Sequence, residues 1–95
     1  MTCSTEVRCR VRRGLFSNEY VVMIETLRDD RRETREFVAD SRGVLVDVDP
    51  GEGEIVPGKT LVYLIDREAS RARVLVPASG GSDASYIYVP IELLA

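Results

Sequence analysis

The chain has 95 residues, 44% hydrophobic and 31% charged, with a formal net charge of −3. That length suits one domain, residues 1–95, that buries roughly two-thirds of its unfolded surface without metal or disulfides, and it leaves no room for a second core. No apolar run approaches the ~20 residues needed to cross a bilayer, so no membrane role is expected, and the acidic total argues against a protein that binds nucleic acid with its whole surface.

The first element is the plainest. Val7-Arg8-Cys9-Arg10-Val11-Arg12 alternates strictly between apolar and basic residues, which sets valine and cysteine on one face of an extended strand and arginines on the other. Residues 1–6 carry no apolar stretch of the roughly 7–15 residues that a secretory signal needs, and a cytoplasmic protein is expected. Cys3 and Cys9, separated by about 20 Å of extended chain, are too far apart to bridge and are expected as free thiols. With no histidine in the chain, they also lack the ligand set of a zinc site.

After a turn around Leu15-Phe16, the apolar run Tyr20-Val21-Val22-Met23-Ile24 predicts a strand buried on both faces. If Asp29-Asp30 is a two-residue turn, Val22 faces Phe37 and Tyr20 faces Ala39, a consistent hairpin register. A helix over 25–37 is the competing reading, and it lacks apolar periodicity because only Leu27 and Phe37 are large and apolar there. Ser41-Arg42-Gly43 turns the chain into a strand carrying Val44, Val46 and Val48, and Asp49-Pro50-Gly51-Glu52-Gly53-Glu54 breaks regular structure. Pro57-Gly58 predicts a further turn before a buried strand Leu61–Ile65. A bend at Ala69-Ser70 leads to alternating Ala72, Val74 and Val76, a loop follows at Gly80-Gly81-Ser82-Asp83, and Tyr86–Val89 is the last strand. Six or seven short, mostly antiparallel strands indicate an all-β barrel or sandwich.

The ending Tyr86-Ile87-Tyr88-Val89-Pro90-Ile91-Glu92-Leu93-Leu94 resembles the close of an SH3-like barrel, in which a strand runs into Val-Pro, makes one short helical turn and finishes on aliphatic residues. The resemblance covers about a tenth of the chain and implies a fold, a small SH3-like barrel. Other barrels with similar endings are the ribosome-associated KOW and PRC types, and Arg73-Val74-Leu75-Val76-Pro77 is loosely similar to the latter. Arg31-x3-Arg35 resembles one element of PilZ domains, β-barrels that bind cyclic dinucleotides. Asp40-Ser41-Arg42-Gly43 departs from the family's second element, an Asp-x-Ser-x-x-Gly turn, by two residues.

Charge is unevenly spread. Residues 1–35 carry eight arginines against six acids, and residues 36–95 five bases against ten acids. Arg8, Arg10, Arg12 and Arg13, joined by Arg71 and Arg73, form a candidate face for nucleic acid or an acidic partner, since alternate strand residues lie about 6.6 Å apart, near the spacing of successive phosphates. The competing account pairs these arginines with acids on neighbouring strands. Arg31 and Arg35 form a candidate anion site on a tip whose charges nearly cancel. The acidic loop Asp47, Asp49, Glu52 and Glu54 lacks the order of a calcium loop and reads as solvated.

Catalytic chemistry is thinly supplied: Cys9 shares a face with two valines, and Ser41 has no base nearby in the sequence. The sequence thus points to a non-catalytic binding module without cofactor or metal, acting on a protein partner, with nucleic-acid binding and an anionic nucleotide as alternatives. A monomer or an edge-paired dimer is expected.

Overall fold

In the computed structural model, which describes residues 3–77 and 84–95, seven strands account for nearly all regular structure. They are β1 (Cys3–Arg13), β2 (Glu19–Arg28), β3 (Arg31–Asp40), β4 (Val44–Val46), β5 (Val56–Arg67), β6 (Arg71–Val76) and β7 (Ser85–Pro90), with single 3₁₀ turns at Ser41–Gly43 and Ile91–Leu93. The loop expected at Gly80-Gly81-Ser82-Asp83 lies outside the described residues.

Closure comes from β1. Its pairing with β5 runs from Cys3↔Leu64 to Val11↔Val56, while its last residues pair on the other edge with β2, from Arg10↔Met23 to Arg13↔Tyr20. β5 pairs with β6, β6 with β7, and β7 returns to β2 at Leu27↔Tyr88. The result is a closed five-strand barrel, β1-β2-β7-β6-β5, with β3 added to β2 and β4 to β5, every pairing antiparallel. After Pro90 the 3₁₀ turn carries the chain back to β1, where Leu94 bridges Val7 and the Ala95 amide donates to the Glu6 carbonyl at 2.9 Å. This ending is consistent with an SH3-like barrel at the level of the fold.

The interior is filled by the inward members of each alternating strand: Val7 and Val11, Val22 and Ile24, Val44, Val62, Ala72 with Val74 and Val76, and Ile87 with Val89. Most are valine, a compact β-branched residue that suits both the pleat and the narrow space of a five-strand barrel.

The β2–β3 hairpin has the register the sequence implied, with Val22 opposite Phe37 and Tyr20 opposite Ala39. Both turn residues, Asp29 (φ 48°) and Asp30 (φ 67°), occupy the left-handed region, as a two-residue turn matched to strand twist requires. This settles residues 25–37 as strands.

Two expectations fail around β5. Pro57-Gly58 is not a turn but part of the strand, and Leu61, Tyr63 and Ile65 are exposed rather than buried. Gly58 is needed for a close approach: a Cβ there would lie 2.8 Å from both the Leu45 carbonyl oxygen and Val11 Cγ2, where β4, β5 and β1 converge. Pro57 is tolerated because β5 has a partner there on one edge only, Arg10, with β4 joining from Gly58 onward. β4 is also shorter than expected and ends at Val46, leaving Val48 outside the strand and exposed.

Non-glycine residues at positive φ carry a steric cost. Replacing Asp29-Asp30 by Asn-Gly is expected to stabilise the protein by about 0.5–1 kcal/mol, which for a domain of this size raises Tm by about 2–8 °C. Thermal unfolding followed by circular dichroism checks this, and an unchanged or lower Tm would contradict the turn assignment.

Candidate interaction surface

The alternation that fills the barrel also dictates what faces outward. With Val62, Val74 and Ile87 inside, Tyr63, Leu75 and Tyr86 point out, and the register aligns them in one row across three strands, Tyr63↔Leu75↔Tyr86. Tyr63 is 40% and Tyr86 58% exposed, and Leu61, two residues along the same face of β5, is 39% exposed. A bulge between Leu64 and Asp66 adds exposed Ile65. Scattered exposed apolar residues are ordinary, whereas here exposed Tyr63 and Tyr86 flank half-buried Leu75 in one row across three strands.

Cations border this row. The Arg73 guanidinium lies 4.9 Å from the Tyr86 ring centroid and that of Arg71 4.1 Å from Tyr88, contacts worth about 0.5–1 kcal/mol each at exposed sites. Arg71 also pairs with Glu68 at 3.1 Å.

The candidate arginines therefore do not share one face. Arg8 sits opposite Lys59 on β5, whereas Arg73 sits opposite Asp66. Seven residues of β5 separate those two positions, about 23 Å at 3.3 Å per residue. Arg12 is committed to Glu36 at 3.2 Å. Arg8, Arg10 and Lys59 remain as an exposed basic group with no ion pair among the described residues. Lys59 joins it only through strand pairing, which no sequence spacing signals.

Arg31 and Arg35 share a face of β3 without converging. Arg35 lies 5.1 Å from the Phe37 ring centroid and lines a cavity with Tyr86 and Tyr88, while Arg31 lines another with Arg28 and Asp29. Glu33 lines both cavities, so each of the two cations shares its cavity with a carboxylate.

At the other end of β1, Leu15 (93% exposed) and Phe16 (67%) cap a cleft of about 590 Å³ that also takes in Arg12, Tyr20 and Asp49. Its walls mix charges of both signs. The Tyr20 hydroxyl donates to Asp49, which raises the phenol's pKa by favouring its protonated form. The acidic loop is partly self-bonded: Glu54 accepts from the Gly51 amide at 3.1 Å. Among the described residues, no three His, Cys, Asp or Glu side chains come together as a metal-ligating group.

Cys9 packs partly buried against the core, and desolvation pushes its thiol pKa up to about 12, so at neutral pH it holds no thiolate for nucleophilic work. The folded state keeps this proton in a window, from about 9 to about 12, where the unfolded state releases it. Stability contributed by the neutral thiol is therefore present below pH 9 and declines above it. Iodoacetamide at pH 8 is expected to modify exposed Cys3 in the native protein and Cys9 only after denaturation; mass spectrometry showing equal native labelling of both would refute the buried-thiol assignment.

Compared with known proteins, the chain matches no family, no curated protein and no solved structure. The class that the geometry defines is thus a small closed β-barrel with an apolar outer face.

Proposed function

We propose that this chain is a non-catalytic binding module that engages a protein partner through the outer face of β5, β6 and β7. The observation that carries this reading is the row Tyr63, Leu75 and Tyr86, extended by Leu61. None of these side chains fills the barrel. Tyrosines held on a rigid sheet supply large contact area at small entropic cost, and a guanidinium stacked beside them adds a donor for carboxylates. The partner segment that fits is one with apolar anchors flanked by acidic residues.

Selection from a displayed random-peptide library is expected to enrich peptides of that kind. Tyr63→Ser combined with Tyr86→Ser, both at exposed positions, is expected to reduce their binding about tenfold or more while leaving the fold intact, since truncating an aromatic anchor costs about 2 kcal/mol or more. Equal binding by the double variant would reject this face as the site.

A second reading has one specific observation in its favour: Arg8 and Lys59, like charges directly opposite each other across β1 and β5, with Arg10 nearby. Such a group suits a phosphate backbone. Binding of a short mixed-sequence RNA that falls steeply with salt and weakens on Arg10→Ala would place nucleic acid ahead of a protein partner. Absence of binding at low salt would remove this reading.

A further inference from the structure

Among the described residues β3 pairs only with β2, so its other edge is open along ten residues, Arg31 to Asp40. We infer that this edge pairs antiparallel with β3 of a second copy, about a two-fold axis through Thr34. The inference is independent of the function proposed above and rests on a different element.

The backbone sets which residues can bond outward. The two-residue turn at Asp29-Asp30 makes Arg28 and Arg31 a hydrogen-bonded pair, so the odd-numbered residues of β3 direct their amides and carbonyls to β2. Thr26 Oγ1 donating to the Glu33 carbonyl at 3.2 Å agrees with this. The outward groups therefore belong to Arg32, Thr34, Glu36 and Val38. An axis through Thr34 joins outward group to outward group: Thr34 to Thr34, Arg32 to Glu36 of the second copy, and Glu36 to its Arg32.

Side chains decide the register. About Thr34, Arg32 lies opposite Glu36 and Glu33 opposite Arg35, each pair occurring twice by symmetry, and Arg31 lies opposite Phe37. All four charged pairs are attractive. Moving the axis to Glu33 sets carboxylate on carboxylate, and moving it to Arg35 sets guanidinium on guanidinium; like charges directly opposite are destabilising. Only the Thr34 register among these three is free of like-charge pairs. An isologous interface of this kind needs a self-complementary surface, and Arg32-Glu33-Thr34-Arg35-Glu36 is one in the antiparallel sense.

The fold supports the same arrangement. Residues 31–36 are all exposed. Arg32 is held on the sheet face by Glu25 and Glu92, and Glu36 by Arg12, with each of these side chains retaining roughly half of its surface open to a further partner. On the opposite face Arg35 already stacks on Phe37, and Arg31 of the second copy approaches the same ring. Charges on an edge strand usually deter pairing; here their order deters other strands and admits a copy of itself.

Sedimentation equilibrium of the full chain from micromolar to millimolar concentration tests this. Wild type is expected to show a monomer–dimer equilibrium. Glu33→Arg alone and Arg35→Glu alone each place like charges opposite one another twice and are expected to weaken the dimer about tenfold or more. An equimolar mixture of these two variants restores opposite charges at both positions and is expected to dimerise as wild type does. Thr34→Pro removes an outward amide without touching the ladder to β2 and is expected to yield monomer, with circular dichroism confirming the fold. A wild type that stays monomeric throughout, or a dimer that Glu33→Arg and Thr34→Pro leave intact, would overturn the proposal. A dimer abolished only by changes at Tyr63 or Tyr86 would overturn it as well.

Discussion

Barrel closure through β1 is the constraint on which the rest depends. One eleven-residue strand pairs with β5 along most of its length and with β2 at its end, and Arg10 and Val11 have partners on both edges. An open sheet of this size would leave two long edges and one exposed apolar face. Closing it turns every inward side chain toward the same axis and limits their size. That is why the interior is a stack of valines, and why Gly58 occurs where β4 and β1 leave no room for a Cβ on β5.

Because closure assigns inward positions to the core, outward positions are free to carry something else, and they are not uniform. The β1–β5 side presents Arg8, Arg10 and Lys59; the β5–β7 side presents Leu61, Tyr63, Leu75 and Tyr86. Sheet stability asks for good cross-strand pairs on the outer face, and Tyr63 with Leu75 meets that demand. Stability alone does not ask for a row that continues to Tyr86 and stays exposed. At its margin the guanidinium of exposed Arg73 lies over the Tyr86 ring and covers part of it.

Much of this was legible in the sequence, and the failures have physical causes. Alternation in residues 7–12 and 72–76 fixes which side chains point inward, and the Asp-Asp turn fixes the hairpin register because a two-residue loop leaves no freedom of pairing. The run Leu61–Ile65 misled because continuous apolar sequence describes a strand buried on both faces and a strand with an exposed apolar face equally well. Pro57-Gly58 misled because the pair that makes turns also permits close backbone approach at a strand's start. The candidate surface was legible as composition, as tyrosines and leucines, but not as a row. Which strand lies beside which is a property of topology, and Tyr63, Leu75 and Tyr86 meet only because β5, β6 and β7 form a meander. The same reasoning divides the arginines, since residues of one parity on two strands share a surface only if their registers coincide.

The two added strands show how differently one barrel can treat its open edges. β4 is three residues long and offers an intruding strand too few backbone groups to hold it. β3 is ten residues long, and shortness cannot protect it. Its protection comes from charge, and charge of one sign would serve that purpose with any number of arrangements. The order found, with basic and acidic residues exchanged symmetrically about an uncharged threonine, is a narrower choice than solubility requires. A foreign strand carrying charges of one sign, laid on this edge, meets both signs within two residues and is repelled at one of them, whereas full charge complementarity needs the inverse order, which is the order of the same strand read backwards.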